Sequence, residues 1–191
     1  MSKADRFFES LKDKRIAFIG IGVSHFDLIN MFLDKGLQVV VCDKKTSEQM
    51  GEAYDKLKEK GAYFSLGENY LDEIFKCDIV FRTPGMYYNH SELVKARALG
   101  IVVTSEMEVF FELCPCKIYA VTGSDGKTTT TTLISELLDK SGRVVHKGGN
   151  IGRALLPIIE SINEDDAAVV ELSSFQLISM RKSPYTAVIT N

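Results

Sequence analysis

Residues 121–132 read V-T-G-S-D-G-K-T-T-T-T-T, and few folds have a use for such a stretch. A short apolar, β-branched run from Ile118 to Val121 leads into it, and Leu133, Ile134, Leu137 and Leu138 beyond it recur at the spacing of one helical face. The pattern predicts strand, glycine turn and helix. Gly123 and Gly126 can take backbone angles closed to other residues, so that N–H groups converge on an anion at the positive end of the helix. Lys127 adds a full charge for terminal phosphates, and Thr128 supplies the hydroxyl that ligates Mg²⁺ in loops of this kind. Five successive threonines open a helix poorly, being β-branched and able to compete for backbone hydrogen bonds. A first turn wrapped around phosphate and metal explains them better than a plain glycine turn with a solvated lysine. The general nucleotide-loop pattern wants glycine five residues before Gly126, where this chain has Val121, so the loop belongs to a shorter subclass.

Bulk properties exclude several classes. With 23 basic and 26 acidic residues there is no positive excess of the kind nucleic acid demands, so no nucleic-acid partner is expected. No apolar run is long enough to span a bilayer, and the start M-S-K-A-D-R-F-F-E-S lacks the core of a signal peptide, which predicts a cytoplasmic chain without a membrane partner. The four cysteines fit that compartment. Cys114-Pro115-Cys116 lacks the two intervening residues of the usual redox motif and His25, His90 and His146 are scattered, so buried or interdomain thiols are expected.

Taken in order, Arg15 to Ile19 reads as a strand ending in Gly20-Ile21-Gly22, followed by a helical face of Leu28, Ile29, Phe32 and Leu33 that Lys35 and Gly36 close. The next strand, Leu37 to Cys42, ends at Asp43, where a dinucleotide-binding fold puts the acid that reads a ribose. The third glycine of G-x-G-x-x-G is His25, whose ring would hinder packing against a dinucleotide pyrophosphate. Two readings stay open: a degraded NAD site, or a mononucleotide site in the same crevice. Ser24 is equally a helix N-cap and a ligand contact. Glu48 to Lys60 is expected as one exposed helix, and Asp78 to Phe81 as a strand ending in Thr83-Pro84-Gly85, either an ordinary turn or a ligand-facing one. Asn89 with Glu92, and Ser105 with Glu108, offer capping pairs for two further helices. A domain boundary is expected at Cys114-Pro115-Cys116.

Beyond the loop helix, Val144 to His146 reads as a strand, and K-G-G-N-I-G at 147–152 as a glycine turn, either a tight connection or a close approach to ligand. Ala167 to Val170 is an apolar strand that delivers Glu171 at its carboxyl end, where an acid can face a metal held by the preceding loop. Phe175, Leu177 and Ile178 are expected in the core, and Ala187 to Thr190 forms a last strand.

The loop G-S-D-G-K-T-T, with G-G-N-I-G at 148–152 and E-L-S-S-F-Q-L at 171–177 in this order, resembles the Mur ligases, ATP-dependent amide-forming enzymes of peptidoglycan synthesis whose fold folylpolyglutamate synthetases share. The E-L-S-S-F-Q-L segment is most similar to the branch that adds D-glutamate to UDP-N-acetylmuramoyl-L-alanine, and argues against the other branches and the synthetases. The resemblance implies a Rossmann-like parallel-sheet domain (residues 1–115) holding the uridine nucleotide, followed by a partial P-loop α/β domain for ATP (116–191). It implies Gly123, Ser124, Asp125, Gly126, Lys127, Thr128 and Thr129 as ATP-binding residues, Thr128 and Glu171 as Mg²⁺ ligands, and Lys127 and Glu171 as the catalytic pair. For the muramoyl substrate it implies Val23, Ser24, Asp43, Lys44, Lys45, Thr83, Gly85, Asn150 and Ser173. The family's carbamylated lysine and its D-glutamate-binding domain follow the strand that ends here, so the chain is expected to be a fragment inactive alone. A non-enzymatic sugar-nucleotide and ATP sensor is the rival from another class.

Overall fold

The computed structural model describes residues 1–191 apart from the side chains of Val23 and Ser24. The chain begins with α1 (Lys3–Glu9), opened by a reciprocal capping box between Ser2 and Asp5. Then follow β1 (Arg15–Ile19), α2 (Val23–Asp34), β2 (Gln38–Asp43), α3 (Ser47–Met50), α4 (Glu52–Glu59), β3 (Tyr63–Leu66), β4 (Ile79–Phe81), α5 (Ser91–Ala98) and β5 (Val102–Thr104). These strands form a parallel sheet in the order β3-β2-β1-β4-β5. A parallel sheet must be covered on both faces, and the sequence provides for each. Ala17, Ile19, Val40, Cys42 and Val80 pack with Leu71, Ile74, Leu93 and Ala96 on one side. On the other, Phe18 stacks on Phe81 with ring centroids 4.8 Å apart and meets Phe32 of α2 edge-on at 5.1 Å, while Phe8 of α1 reaches Phe32 at 5.7 Å. The chain runs outward from β1 through β2 to β3, then returns to β4 on the opposite side of β1. That reversal opens a crevice beyond the carboxyl ends of β1 and β4.

The remainder comprises α6 (Glu106–Leu113), β6 (Lys117–Thr122), α7 (Lys127–Lys140), β7 (Val145–Gly149), β8 (Ala167–Glu171), α8 (Ser174–Leu177) and β9 (Thr186–Ile189). Its four strands are parallel in the order β7-β8-β6-β9. Every residue of β8 is buried, as its central place requires. Because β8 lies beside β6 with Val121 opposite Glu171, the acid stands next to the strand that enters the glycine loop. Among the described residues no helix is long and apolar enough to cross a membrane.

Contacts divide the chain into two units, Met1–Glu106 and Met107–Asn191, ahead of the boundary expected at Cys114-Pro115-Cys116. Helix α6 therefore goes with the second sheet, and its Glu112 pairs with Lys182 at 2.7 Å. The helix expected over Glu48 to Lys60 is broken at Gly51, which takes φ 54° and ψ −134° after Thr46 and Gln49 have closed a capping box on α3. Helix α5 is headed by His90 without a side-chain cap rather than by Asn89, since Glu92 is engaged by His90 Nδ1 at 2.8 Å. Strand β7 runs on through Gly148 and Gly149, so the turn starts only at Asn150. In α7 the buried face is Thr131 and Ser135, while Leu133 and Leu137 are 54% and 68% exposed. The two hydroxyls can be buried because each donates to a carbonyl four residues back, Lys127 O and Thr131 O, at 2.8 Å. Phe175, Leu177 and Ile178 are likewise exposed rather than core, because the capping box between Ser173 and Gln176 turns Gln176 inward instead.

Candidate functional site

Each sheet carries chemistry at its carboxyl edge. In the first unit β1 ends at Gly20, whose φ of 76° reverses the chain and whose missing Cβ lets Thr83 approach closely. Asp43, at the end of β2, uses both carboxylate oxygens on the neighbouring loops: Oδ2 accepts from Ile21 N–H and Oδ1 from Lys45 N–H, each at 2.9 Å. It thus fixes the glycine turn as well as facing the crevice. Ile19, Gly20, Asp43, Lys44, Thr83 and Gly85 line an open cleft of about 450 Å³, closed on its remaining sides by Tyr70, Met86, Tyr87 and His90. The structure therefore brings together four of the expected nucleotide residues, Asp43, Lys44, Thr83 and Gly85. Lys45 is not among the lining residues and contributes its backbone N–H to Asp43. Val23 and Ser24, expected as contacts, have side chains outside the described residues.

The aromatic wall was missed from sequence. Lys44 Nζ lies 5.8 Å from the Tyr70 ring centre, and burial, reinforced by the Asp43 carboxylate, raises the Tyr70 phenol so that it stays protonated. Tyr87 is 56% exposed at the lip. The loop bearing it is braced from beneath by Arg82, a buried side chain whose guanidinium donates to Met86 O at 3.4 Å and lies 5.6 Å from the Tyr88 ring centre. The signal available was the run M-Y-Y-N-H straight after Thr83-Pro84-Gly85. His25, in the third-glycine position, is a satisfied core residue: its Nδ1 meets Gly20 O at 2.9 Å and its ring packs edge-on against Phe18 at 5.6 Å. Burial holds its pKa down to about 4, so the imidazole is neutral.

In the second unit the loop from Gly123 to Gly126 joins β6 to α7, with Gly123 at φ 141° and Gly126 at φ 74°. A Cβ on Gly123 would collide with the Thr190 carbonyl, and Asp125 N–H is bound by Asn191 O, so the end of the chain flanks the loop. Lys127 folds back over it, donating to Gly123 O and Ser124 O at 2.8 Å each. Ser124, Asp125, Thr128 and Thr129 are exposed around it. Thr128 Oγ1 donates to Glu171 Oε2 at 2.7 Å, and Asn150 Nδ2 donates to Glu171 Oε1 at 3.0 Å. Asn150 N–H also binds Glu171 O at 2.8 Å, an approach that Gly149 permits because any Cβ there would strike that same carbonyl. Thr128, Asn150 and Glu171, from three separate stretches, thus meet at one point beside the loop, with Glu171 98% buried by its 2% exposure. Ser173 is drawn instead into capping α8, accepting from Gln176 N–H at 3.3 Å. Among the described residues no group of three or more His, Cys, Asp and Glu side chains is placed to hold a metal, so any cation here would rest on one carboxylate plus the hydroxyl.

Comparison with known proteins bears on both units. Residues 14–105 match the family described as Mur ligase MurD-like, N-terminal domain, and residues 121–191 match the Mur ligase middle domain. The chain is 49% identical over 190 residues to UDP-N-acetylmuramoylalanine--D-glutamate ligase of Acetivibrio thermocellus, covering 100% of this chain and 41% of that protein. The enzyme of the same name from Ruminiclostridium cellulolyticum is 47% identical with the same coverage, and that of Clostridium tetani is 46% identical over 98% of this chain and 41% of its own length. The chain thus spans about two fifths of the relatives it matches. A solved UDP-N-acetylmuramate-alanine ligase from Thermotoga maritima shares the fold, with a TM-score of 0.50 and 22% identity over 93% of this chain and 41% of that one. With family matches across both sheets and 49% identity along the whole of this chain to a D-glutamate ligase, the chain belongs to the Mur ligase family.

Proposed function

We propose that the chain is the nucleotide-binding part of an ATP-dependent ligase that joins D-glutamate to UDP-N-acetylmuramoyl-L-alanine in peptidoglycan synthesis. The observation that carries this reading is the convergence of Thr128, Asn150 and Glu171 beside the Gly-Lys loop. A buried carboxylate fed by a hydroxyl and an amide is costly as mere scaffolding and useful facing a cation and phosphates. The names of the relatives supply the two substrates joined, and the Gly-Lys loop argues for an ATP-driven reaction. In it the alanine carboxylate of the muramoyl substrate takes the terminal phosphoryl group of ATP, and the amine of D-glutamate then displaces phosphate to form the amide. Such a reaction draws on ATP and belongs in the cytoplasm.

The donor set fits Mg²⁺, since a hydroxyl and a carboxylate are hard oxygen ligands with neither sulfur nor imidazole beside them. When bound, Mg²⁺ would supply positive charge that offsets the charge on the group in transfer. Thr128 and Glu171 would hold it, and Asn150 would fix the rotamer of Glu171 and reach toward the muramoyl nucleotide. Lys127 has three N–H donors, of which the loop carbonyls take two, and a modest turn of its end would present them to phosphate. Gly123, Ser124, Gly126 and Thr129 would offer backbone N–H groups and hydroxyls at the positive end of α7, with Asp125, whose N–H is taken by Asn191 O, bordering them. In the first unit the uridine nucleotide would occupy the cleft, with Asp43 and Thr83 as polar contacts, Gly85 allowing close approach, Lys44 near the diphosphate, and Tyr70 and Tyr87 against the planar base. The His25 ring, filling the space a third glycine would leave, disfavours NAD.

The test is Glu171→Gln in an enzyme of the relatives' length, assayed for phosphate release with UDP-N-acetylmuramoyl-L-alanine, ATP, Mg²⁺ and D-glutamate. A fall of about 100-fold or more, equivalent to ~2.7 kcal/mol in the barrier, is expected with uridine-nucleotide affinity unchanged. Activity within about tenfold of the parent would remove Glu171 from the metal site.

A further inference from the structure

Cys114 and Cys116 take no part in the chemistry proposed above. They flank Pro115 between α6 and β6, at the edge of the second sheet opposite the one bearing Gly123 and Glu171. Although one residue fewer separates them than in the common redox spacing, the fold turns both side chains to the same side. Their sulfurs stand 3.5 Å apart, and the Cys114 thiol also points toward Cys116 O at 3.7 Å. A disulfide needs about 2.05 Å between sulfurs, so the pair has about 1.5 Å to close. Pro115 helps, because its ring fixes one backbone angle between the two and limits the conformations that would carry the thiols apart. Cys114 is half-buried and Cys116 buried.

Next to the pair lies a second buried cluster. Asp166 accepts from Asn163 N–H at 2.9 Å and contacts His146 Nε2 at 2.8 Å. The hydrogen bond between the two sulfurs holds the Cys114 thiol well above its ordinary pKa and the Cys116 thiol below its own, so Cys116 is the readier thiolate. The facing groups are therefore one carboxylate, one imidazole and the two sulfurs. The chain's other cysteines form a contrast. Burial pushes the Cys42 thiol up to about 12 and the Cys77 thiol up to about 11, and Cys77 donates to Glu73 O at 3.3 Å, which leaves both protonated and inert at neutral pH.

We propose that Cys114 and Cys116 are a reversible dithiol–disulfide pair that exchanges with low-molecular-weight disulfides, RSSR. The Cys116 thiolate attacks one sulfur of RSSR, forming a mixed disulfide and releasing RS⁻. Cys114 then gives up its proton and attacks the Cys116 sulfur, releasing the second RS⁻ and closing the bridge. The two thiol protons end on the two RS⁻, so two protein thiols are oxidised and one RSSR is reduced to two RSH. The bridge spans a single residue, so it removes little entropy from the unfolded chain and acts as an exchangeable link rather than a staple.

The experiment is incubation of the folded chain with oxidised glutathione at neutral pH, quenching with iodoacetamide, and intact and peptide mass spectrometry. The expected product has lost two hydrogen atoms, all within the peptide carrying Cys114 and Cys116, and dithiothreitol restores the starting mass. Cys42 and Cys77 should alkylate only after unfolding. Cys114→Ser should stop at a stable glutathione adduct on Cys116, and Cys114→Ala should do the same if serine is poorly tolerated in that half-buried position, with a thermal melt confirming that each variant is folded. A glutathione adduct that persists on the unsubstituted chain, a bridge that includes Cys42 or Cys77, or unreacted thiols under conditions that oxidise a free Cys-Pro-Cys peptide would each overturn the proposal.

Discussion

Lys127 and Glu171 are single side chains whose placement was legible in sequence, Lys127 where the glycine turn opens α7 and Glu171 at the carboxyl end of β8. On the proposed reading, Lys127→Ala in an enzyme of the relatives' length should abolish ligation while leaving uridine-nucleotide binding intact, since the lysine lies in the second unit. A turnover assay showing a loss of less than about tenfold, or ~1.4 kcal/mol, would contradict it. His25 was legible only by halves. Its clash with a dinucleotide could be anticipated, but its burial and its bond to Gly20 O depend on packing against Phe18 that no local pattern reveals. That burial gives a pH dependence with a definite sign. The unfolded chain takes up a proton near the ordinary value of 6.5, whereas the folded chain resists until about 4. The stability held by neutral His25 is thus complete above pH 6.5 and is lost as pH falls toward about 4, to a limit of about 3 kcal/mol. Urea midpoints should drop more steeply across that window for the parent than for His25→Phe. Equal slopes would show that the imidazole is not held neutral.

At the scale of elements, the strands and the glycine turns after them could be read because period and composition change sharply there. Which face of a helix is buried could not, as α7 shows. Leucine spacing pointed to Leu133 and Leu137, yet the sheet takes Thr131 and Ser135, whose hydroxyls are satisfied within the helix and whose small size lets it lie close. Gly51 was likewise silent, because nothing in the charge pattern of residues 48–60 marks a glycine that takes positive φ rather than one tolerated within a helix. Gly149 is the element-level test of the second site. With φ at 99° and the Glu171 carbonyl against its Cα, Gly149→Ala should cost on the order of 1–3 kcal/mol and displace Asn150 from Glu171. A thermal melt and an ATP titration should both show the loss. An unchanged melting temperature would mean that the close approach of β7 and β8 at this point does not matter.

For the whole molecule, alternation of strand and helix announced two parallel sheets, and the glycine loops announced their carboxyl edges as the places where ligands gather. The boundary was less legible, since a proline between cysteines reads as a linker whereas the contacts assign α6 to the second sheet. The aromatic wall of the first cleft was hidden for a related reason: Tyr70, Tyr87 and His90 come from segments that only the finished sheet brings beside Asp43. The central claim is that this cleft recognises a uridine nucleotide and not a dinucleotide. Calorimetric titration of the chain with UDP-N-acetylmuramoyl-L-alanine and, separately, with NAD tests it most directly. The account predicts uridine-nucleotide binding at least about tenfold tighter than NAD, a difference of ~1.4 kcal/mol, and weakened by Tyr87→Ala. Equal or tighter binding of NAD, or uridine-nucleotide binding that is lost only when the second unit is altered, would contradict it.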